Sequence, residues 1–199
     1  MRTRSLKAAA FALLVVAGAA CGDENPFRSI PDLVIEGNSQ LWELGLEGFP
    51  SGFDIPSGQR FFVGPSSVIT SFGTFVLEAR DDGTLVFRSF ATLTPAFSVV
   101  RVGIQDLGAR PFEAVTEVPD EGYASVSDTL GVPVVEGHTY AFRISIPSQG
   151  LVLINYAKLH VIEVEEQVPG DPGSRFIRFE YAYQNQPLNR NVAVGTGGP

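Results

Sequence analysis

Two stretches of this chain alternate apolar and polar residues with a period of two, the pattern of half-buried β-strands, and they constrain the fold more than anything else in it. In Thr139 to Ile146 the even positions Tyr140, Phe142, Ile144 and Ile146 fall on one face, and Thr139, Ala141, Arg143 and Ser145 on the other. In Arg175 to Gln184 the odd positions Ile177, Phe179, Tyr181 and Tyr183 make an apolar face opposed by Arg178, Glu180 and Gln184. Thr74–Arg80 and Thr84–Phe90 flank Asp81-Asp82-Gly83, and Asp-Gly readily takes the positive φ angles of a tight hairpin turn. Further strands are expected at Leu33–Glu36, Leu41–Leu46, Phe61–Val63, Ser98–Ile104, Phe112–Val118, Ala124–Ser127 and Lys158–Glu165.

The 14 prolines and 21 glycines are spread along the chain, as many turns between short strands require, and no long helical period occurs. These features predict an all-β domain, a single antiparallel β-sandwich or flattened barrel, with 15 phenylalanines to build an aromatic core without disulfides.

The N-terminus reads as an export signal. Basic Arg2, Arg4 and Lys7 precede an apolar run from Ala8 to Val16, then Ala17-Gly18-Ala19-Ala20 and Cys21. The apolar run is shorter than the ~20 residues that span a bilayer. Cys21 is the sole cysteine and cannot form an internal disulfide; following small residues, it resembles the lipobox cysteine of bacterial lipoproteins, with Gly18 where Leu, Val or Ala is usual. The expected organisation is a signal peptide over 1–20, a lipidated cysteine and flexible tether over 21–32, a β-rich domain over 33–194, and a disordered tail over 195–199. Gly22, rather than Asp, after the cysteine resembles the outer-membrane class, which points to the outer membrane or cell surface rather than the inner membrane.

Removal of residues 1–20 takes three of the 14 basic residues and none of the 22 acids, leaving 11 against 22 and a net charge of −11. That charge repels nucleic acid, and no basic cluster offsets it. Catalytic signatures are lacking: there is no Gly-x-Ser-x-Gly elbow, no phosphate-cradling glycine loop, no His-Glu-x-x-His, and no cysteine pair. The reading is therefore non-enzymatic. Asp81-Asp82, Asp120-Glu121-Gly122 and Asp171-Pro172-Gly173 read as turns, and no Asp-x-Asp-x-Asp run supplies a calcium loop. Glu163 and Glu165 share one face of a strand, the wet one.

Trp42, the only tryptophan, is expected in the core. The loop from Phe49 to Gly58 carries Phe49, Phe53 and Ile55, which mark a partner surface if exposed and a plug for the end of the sandwich if buried. His138 and His160 are the two histidines, and imidazole is a good axial ligand for haem iron. His138 has the parity of Tyr140 and Phe142; His160 has that of Tyr156 and Lys158. The bland alternative is two ordinary strand-end histidines.

Three consecutive patterns carry a resemblance: Tyr140-Ala-Phe-Arg143, then Tyr156-Ala-Lys158-Leu159-His160-Val161 leading to Val164, then Phe179-Glu-Tyr181-Ala-Tyr183-Gln184. In order and spacing they resemble the HmuY-like family of haem-binding surface lipoproteins over about 45 residues. The stretch Pro147–Asn155 is longer and more apolar than the short glycine turn usual there. The resemblance implies an all-β surface lipoprotein that captures haem through two axial side chains, for which His138 and His160 are the available residues. The expectation is thus an envelope lipoprotein acting as a ligand-binding module, with haem as the ligand. The alternative is a structural or interaction sandwich that contacts protein or polymer partners and takes no small molecule.

Overall fold

The structure, a computed structural model, describes residues 34–64, 73–93, 99–124, 129–166 and 172–194. Cys21, the signal-like segment and all of the expected tether lie outside them, as do residues 195–199.

Among the described residues ten strands form two five-stranded sheets in which all pairings are antiparallel. The first sheet has the order β1 (Val34–Trp42), β10 (Arg175–Gln184), β9 (Leu151–Glu166), β8 (Thr139–Ser148), β6 (Arg101–Asp106). The second has β3 (Gln59–Phe61), β2 (Gly52–Asp54), β4 (Phe75–Ala79), β5 (Leu85–Ser89), β7 (Val132–Pro133). The fold is the expected all-β sandwich, and its sheets remain open rather than closing into a barrel. The only α-helix among the described residues is one turn, Phe90–Leu93.

The core lies between the sheets and follows from the alternation. Tyr140, Phe142, Ile144, Leu159, Val161, Ile177, Phe179, Tyr181 and Tyr183 point inward from the first sheet and meet Phe53, Phe75, Leu77, Leu85 and Phe87 of the second. Phe75 is the hub: its ring centroid lies 5.8 Å from Phe53, 5.0 Å from Phe87, 5.3 Å from Phe142 and 6.3 Å from Phe179. Tilted and edge-on rings at these separations add attraction beyond the area they bury. Phe53 and Ile55, expected in a loop, are fully buried. They belong to the core itself, Phe53 in a three-residue strand that no alternation announced and Ile55 in the turn just after it.

Several local expectations change. Leu33 lies outside the described residues, and the rest of Leu33–Glu36 merges with the start of Leu41–Leu46 into β1, which ends at Trp42, with Glu43 onward turning away. The strand runs on through Gly37 because the Tyr181 ring fills the space a side chain would need: a Cβ there would stand 2.8 Å from that ring. Phe112–Val118 is not a strand but begins with a 3-10 turn at Phe112–Ala114, behind Pro111. Of Ala124–Ser127, residues 125–127 lie outside the described set, as does Ser98. The apolar insertion after Pro147 is the start of β9, and β8 and β9 form one long hairpin. Trp42 is half-buried on the outer face of the first sheet, 5.0 Å from Phe49 and 6.1 Å from Phe176, rather than between the sheets. The register of β9 on β10 shifts between Arg178 and Phe179, which leaves Ile162 as an extra, exposed residue. That bulge reverses the parity and returns Val164 to the inner side.

Removing the hub ring should be costly. Phe75→Ala is expected to destabilise by about 3–5 kcal/mol, the range for a buried aromatic truncated in a packed core; urea denaturation checks this. The buried tyrosines predict an alkaline weakness. Burial first, then the Asp54 carboxylate, pushes Tyr183 up to about 12, and burial also raises Tyr123, Tyr140 and Tyr181. Each contribution is full below the unfolded value near 10 and is lost as pH rises toward the folded value, because the unfolded chain gives up its proton first. The urea midpoint should therefore fall steadily above pH 10, and Tyr183→Phe should make that fall shallower.

Candidate functional site

His138 is set by a turn at the entrance to β8. Gly137 has φ +76°, its N–H donates to Val161 O (2.8 Å), and the N–H of Val161 donates to His138 O (3.0 Å). Two residues thus face one, a bulge that needs glycine at its first position. The bulge delivers His138 to the inner side of the sheet's end, with Tyr140. There its Nδ1 lies 3.0 Å from Asp106 Oδ2, on the neighbouring β6.

His160 pairs in register with Thr139 on β8 and Glu180 on β10, and directly paired residues share a face. Thr139 is the residue after His138, so the two imidazoles stand on opposite faces of the first sheet. The Thr139 hydroxyl donates to Arg110 O (2.5 Å), which leaves its oxygen to accept from His160 Nδ1–H at 2.9 Å. Nε2 of His160 is then the free acceptor. Glu180, beside it, is raised by burial, with His160 acting to lower it.

Sequence reasoning overlooked the centre of this outer face, Lys158. It is fully buried, under a strap that crosses the sheet from Leu107 to Tyr123. Its Nζ donates to Phe112 O (2.7 Å) and Val115 O (2.8 Å) and lies 4.0 Å from the centroid of the Phe112 ring. These bonds satisfy carbonyls at the end of the 3-10 turn, and the ring face adds a cation–π contact. Burial pushes the lysine down, whereas Glu113, Glu180 and Glu36 act to raise it. A lysine inside an alternating strand was the available signal: Lys158 shares the polar parity of His160, yet lies between Ala157 and Leu159 in a strand flanked on both sides.

The residues that carry the family resemblance lie on β8, β9 and β10, the three adjacent central strands. Tyr140, Phe142, Leu159, Val161, Phe179, Tyr181 and Tyr183 are all members of the inter-sheet core. What these residues do in this chain is thus mainly core packing. Glu163 and Glu165 do share the outer face, where Glu163 pairs with Arg178. Asp81 and Asp82 are exposed in the hairpin turn, as expected. Among the described residues, no group of three or more His, Cys, Asp or Glu side chains is placed to hold a metal ion.

No family model matches the chain, and comparison with curated proteins and with solved structures finds no match.

Lys158→Met keeps the length and loses the donors. It is expected to cost about 1.5–3 kcal/mol, as for hydrogen bonds from a charged group. Amide hydrogen exchange over residues 112–118 should quicken, while the inner-face amides of β8 change little.

Proposed function

We propose that this chain is an exported lipoprotein, acylated on Cys21, whose sandwich is a non-enzymatic interaction module displayed at the cell envelope. The observation that carries the choice over haem capture is the placement of the two histidines. His138 is held against Asp106 on the inner face and His160 against Thr139 on the outer face. A planar haem takes its axial ligands from its two sides, so a clamp needs both imidazoles in one groove, and a sheet stands between these. The filled ring-on-ring core supports the same reading, since the space between the sheets is taken by phenylalanine and tyrosine.

Haem capture is the second reading, and the geometry leaves it one concrete form. His160 Nε2 is a free acceptor on a half-buried ring of the outer face, so a single-imidazole contact is the arrangement to look for.

Haemin added to the purified mature protein tests the choice. An unchanged free-haemin spectrum is expected, with the intact mass showing acyl chains on Cys21. A saturable change in the haemin spectrum, high-spin for a single imidazole, that vanishes in His160→Ala would sink the interaction reading; an unmodified Cys21 would sink the lipoprotein reading.

A further inference from the structure

The β8–β9 hairpin outreaches both of its neighbours. β10 pairs with β9 only from Tyr156 onward, and β6 pairs with β8 only as far as Ser145. Leu151 therefore stands five residues, roughly 17 Å at about 3.3 Å each, beyond the last β10 pair. The turn at the tip is tight, with Gln149 at φ +48° and Gly150 at φ +82°, and Ser148 pairs with Leu151 across it. In a two-stranded ribbon alternate residues turn their backbone N–H and C=O groups outward, so such a tip suits the hydrated interfacial layer and not the hydrocarbon core.

Its side chains are unusual for so acidic a chain. From Ile144 to Ala157 no residue is charged. Leu151 is 69 % exposed and Val152 63 %, and Leu188, whose N–H donates to Ile154 O at the root of the ribbon, is 71 % exposed. The opposite end of the strands carries exposed Asp81, Asp82, Glu136, Glu165 and Glu166. The sandwich is polarised along its strand axis, from a pole rich in carboxylates to one whose projecting hairpin is apolar and carries no charge.

The N-terminal end of β1 lies at the apolar pole. Val34 is in register with Gln184, which pairs with Tyr156, so β1 begins at the end of the sheet from which the hairpin projects. Twelve residues, Gly22–Leu33, separate Cys21 from Val34. They can span roughly 40 Å, more than the roughly 17 Å of the overhang, so the anchor and the hairpin tip can reach one leaflet together.

We infer that the tip around Leu151 and Val152 dips into the interfacial layer of the bilayer that holds the lipid on Cys21, and so orients the sandwich with its acidic pole outward. This rests on the reading of Cys21 as acylated. A shallow apolar insertion beside a lipid is the second signal that turns a flexible tether into a fixed attachment. The acidic pole, repelled by anionic lipid, works in the same direction.

The test uses the acylated mature protein in vesicles of phosphatidylethanolamine and phosphatidylglycerol. With the Cys21 thiol acylated, Leu151→Cys supplies the one free thiol for an environment-sensitive nitrobenzoxadiazole label, and Asp81→Cys supplies the control at the other pole. Both sites are exposed, so both variants should melt as the parent does. The label at 151 is expected to shift to the blue, to be quenched by nitroxide on the lipid chains, and to lose most of its quenching by aqueous iodide; the label at 81 should do the reverse. Acylated protein that floats with vesicles but whose 151 label iodide quenches as fully as the 81 label overturns the insertion alone, as it would if the tip serves a protein partner instead. Protein without acyl mass on Cys21 that fails to float overturns the anchoring reading and this inference with it.

Discussion

The packing of Phe75 against Phe53, Phe87, Phe142 and Phe179 is the contact on which the rest of the molecule depends. The described chain has no disulfide to hold two open sheets together. Buried ring area and ring-on-ring geometry must do it. Because the rings come from strands far apart in sequence, every register in both sheets has to be right before they can meet. Tyr140 ties the edge into the same core: its hydroxyl accepts from Val135 N–H at 2.8 Å and donates to Pro133 O at 2.9 Å.

The fold was legible where alternation is long. β10 has the bounds that its parity implies, and the Asp-Gly hairpin lies where its turn chemistry puts it. It was illegible where strands are two or three residues long, as at Gly52–Asp54 and Val132–Pro133, because so short a stretch has no period. Phe112–Val118 misled because its apolar residues bury as the underside of a strap laid on the sheet and not as a strand within it, and only the lysine below explains why the backbone turns there. The bulge at Ile162 is likewise a property of the pairing of two strands, which neither strand carries alone.

The site was half legible for the same reason. Parity already separates His138, grouped with Tyr140, from His160, grouped with Lys158. What parity cannot supply is which strands are neighbours, and it is the Thr139–His160 register that converts two parities into two faces of one sheet. Lys158 shows the converse. A charged residue on the polar face of a strand is ordinarily solvated, and here the strap buries it, so that the outer face of the first sheet carries a small second core of Val115, Val118, Ala141, Tyr156 and Val192.

The position of β1 has a mechanical consequence. It is the edge strand of the first sheet, paired along nine residues with β10 alone among the described strands. A pull on its N-terminal end, directed away from Trp42, loads the ladder in shear, so the hydrogen bonds share the force rather than opening one after another as a zipper would. The first sheet therefore resists a pull on its N-terminal strand better than it resists peeling from the edge.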